Sequence, residues 1–193
     1  IAPGFNEQNP SDWIDALRAS MGKLKNRNAS AIESLQAIGI AGHMHGATLL
    51  DKNGEILHPC ILWNDTRSYK QASILDQDEN LREITGNIVF PGFTAPKLLW
   101  IQDNKPELFE QVAKVLLPAS YLGYYLTGEF FMDMSDAAGT SWLDVGNRCW
   151  SEYALKAGNM RSDQMPKLLE GSQVASSVSK FIADELGIPS GVS

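Results

Sequence analysis

Cysteine is scarce, with only Cys60 and Cys149 among 193 residues. Two thiols exclude a disulfide framework and fit a reducing compartment, so a cytoplasmic location is expected. Long apolar runs are also lacking. Val115-Leu116-Leu117 and Pro96 to Ile101 typify the longest, far short of the ~20 residues that cross a bilayer, so no membrane partner is expected. Positive charge is in deficit: 16 Lys and Arg against 23 Asp and Glu give a formal net charge of −7, and acidic residues outnumber basic ones in both halves. A polyanion would be repelled, which excludes nucleic acid as a partner. Neither phosphate cradle, GxxxxGK[ST] or GxGxxG, occurs, and there is no GxSxG elbow. The chain opens on Ile1 with no basic stretch leading into an apolar core, so no export signal is readable. Processing or truncation at the start is the expectation.

What is present is the balance of a folding domain: 44% hydrophobic and 20% charged residues. A chain of this length buries roughly 70% of its unfolded surface, which suits a single domain over 1–193. Asn9-Pro10-Ser11-Asp12 reads as a capped helix start, followed by an apolar stripe of Trp13, Leu17, Met21 and Leu24. Residues 34–41 read as a buried strand, and Asn53-Gly54 as a type I′ turn joining 47–51 to 55–62. Helices are expected over 69–84, 95–102, 106–114, 119–127, 150–158 and 180–186, with strands at 115–117 and 141–145. In the helix over 95–102, Leu98 and Ile101 share a face that Lys97 does not. Strands interspersed with helices argue an α/β fold with parallel and antiparallel pairings.

Two clusters could carry chemistry. Gly42-His43-Met44-His45-Gly46 puts two imidazoles two residues apart, on one face if the chain is extended. Zinc would need a third ligand, and His58 and Cys60 lie at no recognisable spacing. A neutral imidazole also offers one donor and one acceptor to a sugar hydroxyl or carbonyl. In Trp63-Asn64-Asp65-Thr66-Arg67 the indole suits the C–H face of a sugar and the polar residues its hydroxyls. A core Trp before a helix capped by Asn64 or Asp65 fits equally well. Asp65 and Asp136 are each conceivable as a general base, with no partner spacing to support either.

Three blocks carry a resemblance: Gly39-Ile40-Ala41-Gly42-His43-Met44-His45-Gly46, Ile61-Leu62-Trp63-Asn64-Asp65-Thr66-Arg67, and Gly92-Phe93-Thr94-Ala95-Pro96-Lys97-Leu98-Leu99-Trp100. Together they resemble the FGGY carbohydrate kinase family. The third block, continued through Asn104, fits that family's first signature at every constrained position. The Met-His-Gly and Trp-Asn-Asp-x-Arg blocks point to the branch acting on D-xylulose. Residues 134–140 and 163–168 extend the likeness over essentially the whole chain.

The resemblance implies an actin-like, ribonuclease-H-like domain, a mixed sheet flanked by helices, here without its first strands. It implies transfer of the γ-phosphate of MgATP to O5 of D-xylulose, giving D-xylulose 5-phosphate. Met44 and His45 are then the expected ketose contacts, with Trp63 beside them and Asp65 and Arg67 completing the set. His43 stands where relatives commonly carry Gln. Nothing before Asn9 resembles the family's Asp-x-Gly-Thr phosphate loop, and the Gly-Gly-Gly-Asp segment bearing the catalytic Asp is expected beyond Ser193, as is the C-terminal ATP-binding domain. No catalytic, cofactor-binding or metal-binding residue is therefore assigned within the chain. Residues 1–193 alone are expected to be inactive and without bound ATP or Mg²⁺. They would pair with the remainder of their own polypeptide and be prone to self-association into a homo-oligomer through an unpaired sheet edge. The alternatives are a ribulose, gluconate or glycerol specificity, or a non-catalytic sugar-binding module.

Overall fold

The computed structural model describes residues 2–193. After β1 (Glu7–Gln8), α1 runs over Pro10–Arg27. Asn9 caps it by accepting from the Ser11 amide at 3.2 Å, and Pro10 opens the first turn. Its stripe is only partly covered. Leu17 and Met21 pack on a core cluster with Ile32, Leu126, Val178 and Ile182, while Leu24 is exposed. A short α2 (Ala29–Glu33) follows. The strand expected over 34–41 does not form. Its residues are intermediate or exposed, and among the described residues the segment's long-range main-chain pairing is confined to Ser193, which accepts from the Ile38 amide and donates to the Gln36 carbonyl. One flanking residue satisfies too few backbone groups to make a ladder.

β2 (Thr48–Leu50) and β3 (Cys60–Ile61) flank the expected turn, but it is not type I′. The Gly54 amide donates to the Asp51 carbonyl, and in this turn only Gly54 has positive φ, at +83°. This is a type I turn closed by a left-handed glycine, the three-residue hairpin form. The Asp51 carboxylate sets it by accepting from the Asn53 and Glu55 amides at 2.8 and 2.9 Å.

The helix expected over 69–84 is two helices, α3 (Tyr69–Asp76) and α4 (Glu79–Thr85). Asp78 separates them by accepting from the Leu81 amide, which starts a new helix. Then come α5 (Thr94–Asn104), α6 (Pro106–Phe109), β4 (Lys114–Leu116), α7 (Pro118–Thr127), β5 (Phe131–Asp133) and α8 (Met134–Ala138). The chain continues through β6 (Leu143–Asp144), β7 (Cys149–Trp150), α9 (Glu152–Ala157), β8 (Lys167–Leu169) and α10 (Lys180–Leu186).

Pairings are of both kinds, as expected, but no single broad sheet forms among the described residues. β1–β3, β2–β4 and β6–β7 are antiparallel, and β5–β8 is parallel. A bridge between Ala47 and Ile61 joins the first two pairs. The main core lies beneath that junction: Leu49, Ile61, Leu98, Ile101, Val115 and Trp142 are at most 1% exposed. It braces the chain just before β2, where the histidines lie.

Candidate functional site

The segment between the two histidines is a turn and not an extended strand. The Gly46 amide donates to the Met44 carbonyl at 2.9 Å, and His45 between them has φ +67°. The imidazoles therefore part. His43 lies edge-on to Trp13 of α1, at 5.9 Å between ring centroids, while His45 lies edge-on to Phe93 at 4.6 Å. The other metal-ligand candidates are engaged elsewhere. His58 bonds the Pro59 carbonyl and Lys105 Nζ through its two ring nitrogens, and burial pushes the Cys60 thiol up to about 11. Among the described residues no group of three or more His, Cys, Asp or Glu could hold a metal ion.

His45 is fixed on several sides. Its Nδ1 is 2.7 Å from the Gly139 carbonyl, at the C-terminal end of α8. A carbonyl only accepts, so Nδ1 carries the hydrogen and Nε2 presents its lone pair. Burial, with a smaller contribution from Lys97, holds the imidazole below its ordinary pKa of 6.5 and favours that neutral form. A Cβ at Gly139 would lie 2.7 Å from Nδ1 and Cε1 of His45 and 2.9 Å from Met44 Cε. Only a glycine lets both side chains lie against this position.

Met44 is 38% exposed beside this ring, and Trp63 is 56% exposed. The indole is thus not the core residue one reading allowed, and Ser68 occupies the cap position of α3 in place of Asn64 or Asp65. The loop before α5 links the pieces. Gly92 lies so close to the Trp63 carbonyl that a Cβ would collide with its oxygen, and the next residue, Phe93, carries the ring against His45. Phe90 stacks on Phe93 and is itself 54% exposed. The turn, Trp63 and this loop thus form one partly apolar wall.

Asp65 and Arg67, the other two residues expected here, do not face it. Asp65 is 1% and Arg67 7% exposed. Arg67 donates to both Asp65 oxygens, bonds Glu7 Oε1 at 2.7 Å and stacks over the Phe5 ring, 3.9 Å from its centroid. Asp65 also accepts from the Asn6 amide at 2.6 Å. With their polar atoms engaged, the pair fastens residues 5–7 behind Trp63 as a structural clamp.

Two groups outside the five expected site residues stand out in the structure. Lys97 of α5 is completely buried, with Nζ 2.7 Å from the His45 carbonyl, and burial pulls its ammonium down to about 7. A lysine inside the apolar run from Ala95 to Ile101 was the sequence signal for it. Asp136 of α8 is buried, and its carboxyl is raised to about 6, first by burial and then by the Asp133 charge. A separate groove of about 540 Å³ between residues 37–40, α7 and 169–178 touches none of the five expected site residues.

The FGGY family of carbohydrate kinases, N-terminal domain, matches residues 1–193. A xylulose kinase of Escherichia coli strain K12 is 47% identical over 96% of this chain. A crystal structure described as a "xyloylose kinase" from Brucella ovis superposes with a TM-score of 0.96 at 49% identity, covering 98% of this chain and 39% of that one. A gluconate kinase from Lactobacillus acidophilus superposes with a TM-score of 0.87 at 26% identity over the whole chain and 39% of its own. The chain spans 38% of the length of the Escherichia coli relative. These solved kinases share the expected actin-like α/β fold, and the match over all 193 residues places this chain in the FGGY family of carbohydrate kinases.

Proposed function

We propose that this chain is the sugar-holding wall of an ATP-dependent ketose kinase whose acceptor is D-xylulose, phosphorylated at O5. The observation that carries the reading is the His45 ring. Its Nδ1–H is committed to the Gly139 carbonyl, so the neutral Nε2 is a preset acceptor for a sugar hydroxyl beside exposed Met44 and Trp63. Trp63 supplies a flat face for the C–H side of the ring or chain. The kinase relatives at 47% and 49% identity support the same acceptor.

The wall suits a neutral sugar better than an acid. Arg67 and Lys97, the two cations at its back, are both directed inward, to Asp65 and to the His45 carbonyl. Neither is placed to receive a sugar carboxylate, which disfavours a gluconate specificity.

ATP and Mg²⁺ belong to the proposed reaction, but the residues present do not fit them. No phosphate-cradling motif occurs in the sequence, and no cation-holding cluster exists among the described residues. No step is therefore derived through either. What these residues contribute is orientation: a hydroxyl held at Nε2 of His45 fixes the ketose relative to the opposing wall, and such positioning is a large part of phosphoryl-transfer catalysis.

The test is His45→Ala in the complete gene product. The kcat/KM for D-xylulose is expected to fall by about 1–3 kcal/mol in transition-state terms, with ATP affinity little changed. Equal losses toward both substrates, accompanied by lower folding stability, would return His45 to a purely structural role.

A further inference from the structure

We infer that Lys97 is a positioning residue for the sugar-facing imidazole: its Nζ, together with Thr94 Oγ1, clamps the His45 carbonyl and so holds the turn that aims Nε2 outward. The sugar part of this inference rests on the function proposed above. The geometry behind it is local. His45 is a β-unbranched but bulky residue at φ +67°, inside a three-residue turn closed by the Gly46 amide and the Met44 carbonyl. Such turns are strained and persist only where their surroundings over-determine them.

Two side chains supply that constraint from one helix. Lys97 Nζ lies 2.7 Å and Thr94 Oγ1 3.2 Å from the same His45 oxygen. They are three residues apart on α5, so they rise from one side of the helix. Both are completely buried. Burying an amine is costly, and a methionine could fill the same volume without that cost. A buried lysine directed at a main-chain carbonyl is therefore poorly explained by packing. It is explained by the short bond that Nζ donates to the oxygen that fixes the turn, a bond strengthened by charge when the amine is protonated. The same ammonium also lowers the affinity of His45 for a proton, reinforcing the neutral acceptor form.

The experiment compares wild type, Lys97→Met and Thr94→Val in the complete gene product by three readouts. These are the ¹⁵N imidazole shifts of His45, assigned by their loss in His45→Gln, the calorimetric affinity for D-xylulose, and thermal stability. Wild type is expected to show a single tautomer with Nδ1 protonated. Lys97→Met is expected to keep or raise the melting temperature, mix the tautomers and weaken D-xylulose at least tenfold. Thr94→Val, which leaves the stronger donor in place, is expected to weaken it about threefold. Unchanged His45 shifts in Lys97→Met overturn the inference. So does a shift without loss of affinity, or a loss of affinity matched by a fall in stability. If Lys97→Met fails to fold, Thr94→Val decides by the same shifts and affinity. If wild type binds no D-xylulose, the proposed function fails while the imidazole shifts still decide whether Lys97 sets the ring.

Discussion

His45 and Gly139 are 94 residues apart in sequence, yet Nδ1 of the one lies 2.7 Å from the carbonyl of the other. The contact ties the turn before β2 to the end of α8 and fixes which ring nitrogen is free. It depends on the missing side chain of Gly139. That glycine has φ −75° and ψ 0°, a conformation open to any L-residue, so its requirement is spatial.

Gly139→Ala is therefore a steric probe of the site with little backbone cost. The new methyl would meet the His45 ring at 2.7 Å and Met44 Cε at 2.9 Å, so the ring must turn away. Affinity for D-xylulose in the complete gene product is expected to fall at least tenfold, about 1.4 kcal/mol. Stability should change by less than about 1 kcal/mol, because half-buried side chains can move outward. Calorimetric titration beside urea unfolding measures both, and unchanged sugar affinity would detach Gly139 and His45 from the site.

Asp65 and Arg67 make the opposite case, residues expected at the sugar and engaged in the fold. Arg67→Met leaves the Asp65 carboxylate buried without its counter-ion and frees residues 5–7 from their anchor. Breaking a buried pair from one side typically costs about 3–5 kcal/mol, so unfolding in urea should shift by that order. The double variant Asp65→Asn, Arg67→Met should lose less than the sum of the two single variants, since the pair acts as a unit. Additive losses would mean that the two side chains hold different parts of the structure.

The elements most legible in the sequence were those fixed by local chemistry. Asn9 caps α1, and the expected helix over 180–186 is α10. Each depends on neighbours within a few residues. What misled was context at a distance. The apolar run over 34–41 reads as a strand, but strand formation needs a partner, and among the described residues its long-range main-chain bonds go to Ser193 alone. Asp51 decides the hairpin through a side-chain bond that competes with the type I′ geometry suggested by Asn-Gly. At the site, the motif marked Met44, His45 and Trp63, and these lie on one wall. Motif membership could not separate them from Asp65 and Arg67, because exposure is a property of the whole fold. Lys97 was not marked as a site residue for a related reason. Helical spacing kept it off the face of Leu98 and Ile101, but both sides of α5 are covered, the second by the His45 turn.

Ionisation divides the buried groups into two opposing sets, and the signs can be separated by experiment. His43, His45 and His58 are each held below 6.5 by burial, so the unfolded chain takes up protons first and stability is lost as pH falls below that value. Asp136 works the other way. Its folded value of about 6 lies above the ordinary 3.8, so the folded chain holds the proton longer and stability falls as pH rises from about 4 to 6. Asp136→Asn removes only the second effect. At pH 7.5 it is expected to stabilise the chain by about 1–3 kcal/mol, with a rise in melting temperature of a few degrees for each kcal/mol. At pH 4.5 most of that gain should vanish, because wild-type Asp136 is then largely protonated in the folded state. The histidines are common to both proteins and cancel in the difference. A gain of equal size at both pH values would show that the aspartate is unfavourable for a reason other than its charge.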